Sequence, residues 1–341
     1  MPAVARDLDL TQLIADTEAE IARLVADRDP STAGVYEMAR YHLGLDGSGA
    51  PAGKRMRPLL GLLAYSSIAG DHRAALPGAA AVELGHNFSL VHDDIEDGDL
   101  ERRHRPALWA RHGIPQAINT GDMLFSLSRV ALHRLSDLGF SDAKVLRLMR
   151  LYDDTCVALC EGQYIDIATS ERDDLMSVEL YFDMIGRKTA ALIAASIEAG
   201  ALLATDDEVV IGRYRAFGWA LGIAFQLNDD LLGIWGAERA TGKEPTDVAR
   251  KKKTLPVIYA FEHTAPRECD RLAALYRDPS PSAAEVAEII AILEHAGARD
   301  YTRDQARRYR DEALAELAAA GVADGAARAR LEALIVSVIN A

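Results

Sequence analysis

Apolar positions recur along most of the chain at alternating steps of three and four. Near its start, Leu10, Leu13, Ile14, Thr17, Ile21, Leu24 and Val25 fall on one helical face, the stripe a helix buries against a core. No segment keeps a period-two alternation bounded by hairpin turns, so no sheet is predicted. Capping signals punctuate the pattern. Thr205 with Glu208, and Ser282 with Glu285, each fit the capping box that satisfies orphan N–H groups at a helix start. Breaks are expected at residues 29–34, Asp46 to Gly53, Ser170 to Asp174 and Arg277 to Ser282. None of these reads as a long linker, and the chain shows no internal repeat. Helices joined by short loops predict an all-α protein, with residues 1–341 forming one large bundle as a single domain.

Composition narrows the partners. With 341 residues, 49% of them apolar, the chain can bury a substantial core. A formal charge of −14 argues against nucleic acid, which needs surplus Lys and Arg at its phosphates. Local cationic clusters can still hold a small phosphate-bearing substrate. Three cysteines, Cys156, Cys160 and Cys269, make no disulfide framework and point to a reducing compartment. Cys156 and Cys160 lie one helical turn apart with no His or third Cys nearby, and read as packed apolar thiols. Met1 to Leu10 lacks the apolar stretch of a signal peptide, and no charge-free run is long enough to span a membrane. The expectation is a soluble, cytoplasmic protein with no stable membrane insertion.

Among several Asp pairs, two stand out. Asp206-Asp207 sits within a capping signal, Asp173-Asp174 follows a polar turn, and Asp153-Asp154 lies on an ordinary helix. Asp93, Asp94 and Asp97 instead end an apolar helical segment, where the negative end of the helix penalises carboxylates unless something positive meets them. Asp93 and Asp97 share one face, one turn apart, and can share a hard cation through oxygen ligands. A solvent-facing acidic patch is the alternative. Asp229 and Asp230 are embedded among Ile223, Phe225, Leu227, Leu231, Leu232 and Trp235, where carboxylates are costly unless paired or metal-bound. A structural salt bridge is the alternative there. Two such clusters on separate helices suggest opposed metal sites lining one cavity.

Mg²⁺ held by a few carboxylates takes its other ligands from water and substrate phosphates, so a matching substrate calls for cations as well. Lys54, Arg55 and Arg57 follow the Gly-rich stretch, and Arg102, Arg103 and Arg105 follow the first acidic cluster. Arg suits bidentate phosphate binding and Lys acts as a point charge. Lys251-Lys252-Lys253 reads by itself as a solvated run. Its place after Thr241-Gly242-Lys243 and before Thr254-Leu255-Pro256 gives a functional reading equal standing.

These motifs, in this order, resemble the trans-prenyltransferases of the polyprenyl synthetase family, from about Gly53 to the final helices. Gly53 to Pro58 is similar to the family's isopentenyl diphosphate loop, with His86 matching its partner. Asp93-Asp94-Ile95-Glu96-Asp97 resembles the first aspartate-rich motif, followed by the pair Arg102 and Arg103. Gly162-Gln163 with Asp166, Lys188-Thr189, Gln226 with Asp229-Asp230, and Lys243 with Lys252 resemble the later motifs. One departure matters: where the family often reads DDxxD, this chain has Gly233 in the last position. By likeness, this weakens support around the site without removing it. Asn228 has no assigned role.

The resemblance implies an isoprenoid synthase-type bundle with a central substrate cavity, a homodimer, and a Mg²⁺-dependent condensation of isopentenyl diphosphate with an allylic diphosphate. It implies that Asp93, Asp97 and Asp229 hold three Mg²⁺ ions, with Asp94 completing the first platform. Arg102, Lys188, Lys243 and Lys252 would stabilise the allylic diphosphate as it leaves, with Thr189 and Gln226 beside them. Lys54, Arg57, His86 and Arg103 would hold isopentenyl diphosphate. Phe88 and Ser89, just before the first motif, would form the cavity floor, a short-chain pattern favouring geranylgeranyl diphosphate over farnesyl diphosphate. Phe88 as plain core packing is the alternative. A class I terpene cyclase on the same fold is a rival reading, against which the isopentenyl diphosphate residues speak. A non-catalytic partner subunit of a prenyltransferase is another, against which both retained Asp pairs speak.

Overall fold

A computed structural model of the chain describes residues 9–49, 51–170, 176–236, 246–278, 280–322 and 325–339. In chain order the helices are α1 (Leu10–Leu24), α2 (Ala33–Leu43), α3 (Met56–Ala69), α4 (Leu76–Glu96), α5 (Leu108–His112), α6 (Ile114–Asp137), α7 (Asp142–Ser170) and α8 (Val178–Ile185). They continue as α9 (Ala191–Ala204), α10 (Glu208–Trp235), α11 (Thr246–Ala249), α12 (Leu255–His263), α13 (Pro266–Arg277), α14 (Ala283–His295), α15 (Ala298–Ala319) and α16 (Ala326–Ile339). The all-α expectation is borne out. Among the described residues no helix is long and apolar enough to cross a membrane.

Contacts group the chain into two compact units. The first comprises the chain up to Cys156 with Ala195–Arg215 and Ala320–Leu331; the second comprises Val157–Ala194, Ala216–Ala319 and the chain from Glu332 onward. In the first, α4 packs against α1, α3 and α6. Its opening residues Pro77, Gly78, Ala79, Ala80 and Ala81 are all buried. Proline is preorganised for the first turn, and the small side chains after it let neighbouring helices approach. α1 starts on an Asp9 cap that accepts from the Thr11 N–H at 2.9 Å, and buries the predicted Leu13, Thr17, Ile21 and Leu24. In the second unit, Tyr181, Ile185, Ile223, Leu227, Leu255 and Ile258 form one buried cluster. Trp235, Val248, Val257, Leu272 and Ile289 belong to another.

Three local expectations change. A short antiparallel ribbon pairs Glu101–Arg102 (β1) with Arg105–Pro106 (β2), where no sheet was expected. Two-residue strands are too short to show a period. Its turn residues Arg103 and His104 both hold positive φ, 53° and 61°, the backbone of a type I′ hairpin usually built from Asn and Gly. The capping box at Ser282 and Glu285 forms in full, but the one at Thr205 and Glu208 does not. Asp207 caps α10 instead, accepting from the Val209 N–H at 2.9 Å, and Glu208 pairs with Arg147 at 2.7 Å. Cys156 is buried as expected, whereas Cys160 is exposed. Cys160 lies between exposed Val157 and Tyr164, on the outward stripe of α7.

Arg55 is the least expected core residue. It stands just before α3 in a left-handed conformation with φ 47°, and only 1% of its side chain is exposed. Its guanidinium donates to Glu83 at 2.8 Å, to Glu18 at 3.2 Å and to the Leu43 carbonyl at 2.6 Å. Glu83 also accepts from Asn87 at 3.0 Å. Removing one member of such a pair strands the other charge out of water. Arg55→Ala is expected to lower the unfolding free energy by roughly 3–5 kcal/mol, read from urea denaturation; a change within the error of the extrapolation would contradict this account.

Candidate active site

The end of α4 divides its two neighbouring aspartates. Successive helical residues are about 100° apart, so Asp94 turns inward while Asp93 is half-buried and Asp97 exposed. Asp94 is 1% exposed and receives the Arg102 Nε–H at 2.7 and 2.9 Å, with a further Arg102 contact at 2.5 Å. Burial raises the Asp94 pKa above the usual carboxylate value, and the Arg102 pair opposes that rise. Arg102 is thus engaged by the protein through one edge of its guanidinium, which carries five N–H donors in all.

The cations of the loop before α3 separate in the same way. Arg55 lies in the core, whereas Lys54 is exposed and Arg57 half-buried. Arg57 donates to His86 Nε2 at 3.0 Å, which requires a lone pair there and hence a neutral ring. Burial and Arg57 together lower the His86 pKa well below its ordinary value. The Arg103 guanidinium lies against Gly53, 3.0 Å from where a Cβ would stand, so any side chain at 53 would push it away. The first unit therefore gathers Gly53 and Arg103 on one side and Arg57 and His86 on another. A recess beside them is lined by Tyr41, His42, Pro51, Arg102, Arg103 and Arg105.

In the second unit a π-helical turn over Gly186–Ala190 carries Lys188 and Thr189 between α8 and α9. Such turns insert one extra residue into a helix and often mark functional positions. Lys188 Nζ reaches Asp166 at 2.5 Å. Gly162, one turn before Asp166, admits the Lys188 backbone, whose N lies 2.5 Å from the position of a Cβ. Thr189 donates to Gln226 at 2.9 Å, and Gln226 donates to Asp230 at 3.1 Å. The Leu255 N–H donates to Asp230 at 3.0 Å, and the Tyr181 hydroxyl donates to the same carboxylate. Burial pushes the Asp230 pKa up to about 6 against the pull of these donors. Asp229, its neighbour, is exposed, so this pair too is split between core and solvent.

The three lysines at 251–253 are not a solvated run. Lys251 Nζ donates to the Leu275 carbonyl at 2.8 Å and Lys253 Nζ to the Thr169 carbonyl at 2.5 Å. Lys252 stays exposed and pairs with Asp247 at 3.1 Å. Lys243 lies outside the described residues. On α4, Phe88 meets Phe125 edge-on at 5.1 Å, and Phe125 stacks on Tyr152 at 6.4 Å. Ser89 donates to the His86 carbonyl at 2.9 Å.

The donor sets suit Mg²⁺. Asp93, Asp97 and Asp229 offer hard carboxylate oxygens, and this ion is held by one or two carboxylates while keeping waters and substrate phosphates. Among the described residues no three His, Cys, Asp or Glu groups stand close enough to hold a metal together.

A family model described as Polyprenyl synthetase matches residues 41–293. The chain belongs to the polyprenyl synthetase family. The (2E,6E)-farnesyl diphosphate synthase of Mycobacterium tuberculosis is 39% identical over 315 residues, covering 89% of this chain and 84% of that one. A geranylgeranyl diphosphate synthase of the same organism is 40% identical over 267 residues, 76% and 75% of the two chains. The solved geranylgeranyl pyrophosphate synthetase of Pyrococcus horikoshii superposes with a TM-score of 0.88 at 32% identity, covering 97% of each chain. The chain is accordingly a prenyltransferase, similar to short-chain prenyl diphosphate synthases. Mg²⁺ dependence is general in the family.

Membership does not reveal Tyr181, the buried partner of Asp230, or Asp247, the partner of Lys252. Tyr181 is distant in sequence from Asp230, Asp247 is five residues from Lys252 with no motif to mark it, and neither interrupts the helical pattern. Nor does it single out His42, which is 8% exposed. Burial first, and then Arg103, Arg102 and Arg55, lower its pKa to about 3. The unfolded chain protonates this ring below about 6.5 while the folded chain does not. The stability it contributes is therefore complete above about pH 6.5 and lost as the pH falls toward about 3. Unfolding free energy should fall over that window by up to about 1.4 kcal/mol per pH unit for each such histidine, and His42→Asn should flatten the slope. Parallel acid limbs for the two proteins in denaturant titrations would count against this.

Proposed function

We propose that this chain is a short-chain trans-prenyl diphosphate synthase, which joins isopentenyl diphosphate to an allylic diphosphate to make geranylgeranyl or farnesyl diphosphate. The observation that carries the reading is the division of both Asp pairs. Asp94 and Asp230 are fixed by buried donors, and Asp93 and Asp229 are the members turned outward. Residues 1–341 would then act as one isoprenoid synthase-type domain with a substrate cavity. The match of one family model to residues of both units supports this.

Asp93, Asp97 and Asp229 would hold the metal, as three ions by family likeness. When bound, Mg²⁺ supplies Lewis-acid stabilisation of the diphosphate leaving group. Lys188, Lys243, Lys252 and the edge of Arg102 turned away from Asp94 add fixed positive charge where charge develops on that group. Thr189, joined through Gln226 to Asp230, holds the backbone of the Lys188 turn in place. Lys54, Arg57, His86 and Arg103 grip isopentenyl diphosphate, His86 through Arg57. The C–O bond breaks, the double bond of isopentenyl diphosphate adds to the resulting allylic carbocation, and the proton lost afterwards leaves with the diphosphate. No side-chain nucleophile is needed. Apolar helix faces keep water from the hydrocarbon. Exposed Ile114 and Ile118, four residues apart on α6, support a homodimer, and the absence of a spanning helix among the described residues accords with the cytoplasmic assignment.

Incubation with isopentenyl diphosphate, Mg²⁺ and allylic primers of increasing length, followed by chromatography of dephosphorylated products, tests the reading. Linear products one or more isoprene units longer are expected; cyclic hydrocarbons, or no Mg²⁺-dependent turnover, would overturn it. Asp93→Ala is expected to lower turnover at least 100-fold, on the order of an electrostatic catalytic group, and near-normal turnover would remove Asp93 from the metal platform.

Phe88 stands in a row with Phe125 and Tyr152, which supports its assignment, together with Ser89, to the cavity floor. Phe88→Ala should shift products toward longer chains by at least one isoprene unit. An unchanged product distribution would return Phe88 to ordinary packing.

A further inference from the structure

The missing side chain at position 233 is not missing volume. A Cβ built on Gly233 would lie 1.8 Å from Asp247 Oδ2 and 2.6 Å from its Cγ. The Asp247 carboxylate therefore occupies the space that a residue at 233 would fill. Gly233 is four residues after Asp229 on α10, one turn along the same face. Helical Cβ atoms lean toward the N-terminus, so a group seated there faces the turn that carries Asp229.

Asp247 is held in that position from several sides. Its side chain is 15% exposed and meets Lys252 Nζ at 3.1 Å. Its carbonyl accepts from the Lys252 N–H at 3.0 Å, so Lys252 is tied to it by backbone and side chain together. Val248, the next residue, is fully buried in a core cluster with Ile234 and Trp235. The Tyr276 hydroxyl is buried without a hydrogen-bond partner among the described residues, and burial and then the Asp247 charge raise its pKa. An ordinary surface ion pair between helix end and loop needs neither a glycine at the contact nor a carboxylate this far withdrawn from water.

We infer that Asp247 is a positioning residue that supplies, from the short helix α11, the carboxylate that Gly233 lacks, and that it sets Lys252 beside the Asp229 turn. This rests on the diphosphate-transfer reading above. Gly233 and Asp247 are then one device: the glycine makes room and the aspartate fills it. A side chain at 233 and the carboxylate of Asp247 cannot both keep their places.

The test uses the full chain and four variants: Asp247→Ala, Asp247→Asn, Gly233→Ala, and Gly233→Asp combined with Asp247→Ala. Calorimetric binding of inorganic pyrophosphate with Mg²⁺, kcat and KM for elongation, and the melting temperature are read for each. The three single changes are expected to weaken pyrophosphate binding and lower kcat by about 10- to 100-fold, the usual effect of losing a group that orients a ligand. KM for isopentenyl diphosphate should stay within about 2-fold, since its residues are untouched. Gly233→Ala should lose function without losing melting temperature, because alanine favours a helix; a merely structural role would not separate the two. The double variant should recover most of the loss. Wild-type binding and kcat in Gly233→Ala and Asp247→Asn, or a double variant as weak as Asp247→Ala, would overturn the inference. Should Asp247→Ala not fold, the similarly shaped Asp247→Asn decides. A wild-type chain that neither binds Mg²⁺-pyrophosphate nor elongates a primer would overturn the underlying reading instead.

Discussion

A carboxylate removed from water has to be met by donors, and the chemistry-bearing parts of this protein are arranged around that demand. Asp94 takes up Arg102, and through it the hairpin that carries Arg103. Asp230 takes up Gln226, Tyr181 and the start of α12 at Leu255. Glu83 takes up Arg55 and so anchors the loop before α3. Each buried acid thus fixes a neighbouring segment, and the residues we propose as metal ligands, Asp93 and Asp229, are the direct neighbours of buried acids. Since adjacent residues on a helix point about 100° apart, fixing one member of a pair also fixes the direction of the other.

The same economy governs the cations. Arg55 and Arg57 are two residues apart, yet one is a core residue and the other lies beside His86. Lys251 and Lys253 are tied to carbonyls, and Lys252 between them stays exposed. Clusters that look uniform in sequence are alternations of anchor and tool. A cluster of this sort keeps its exposed charge still without burying it, the preorganisation that the proposed diphosphate site would use.

Much of this was legible in sequence. The three-and-four spacing of Leu13, Thr17, Ile21 and Leu24 reports a buried helical face, and Ser282 with Glu285 reports a helix start, because both depend on neighbours within one or two turns. Asp93-Asp94 and Asp229-Asp230 stand out because carboxylates conflict with their apolar surroundings. Which member of each pair is buried depends on the phase of the helix against its core, and no local signal carries that. Thr205 and Asp207 are both competent caps, and the choice rests on where α10 begins and on Arg147 drawing Glu208 away. The Arg103–His104 turn is hidden because it lacks the glycine or asparagine that usually announces it. Asp247 is hidden because its contact with Gly233 is a tertiary one.

The π-helical turn at Gly186–Ala190 has a consequence for descent. Its extra residue is taken up within one widened turn, between α8 before it and α9 after it. Deleting any one of these five residues would let a regular helix run through, with every backbone hydrogen bond satisfied. Because the turn already takes up the extra residue, the helices on either side would keep nearly the same phase, while residues within the turn would shift by about one helical step, parting Lys188 or Thr189 from Asp166 or Gln226 and sparing the core on both sides. Length, as much as residue identity, is therefore under constraint here, and lineages should tolerate substitutions in this stretch more readily than the loss of a single codon.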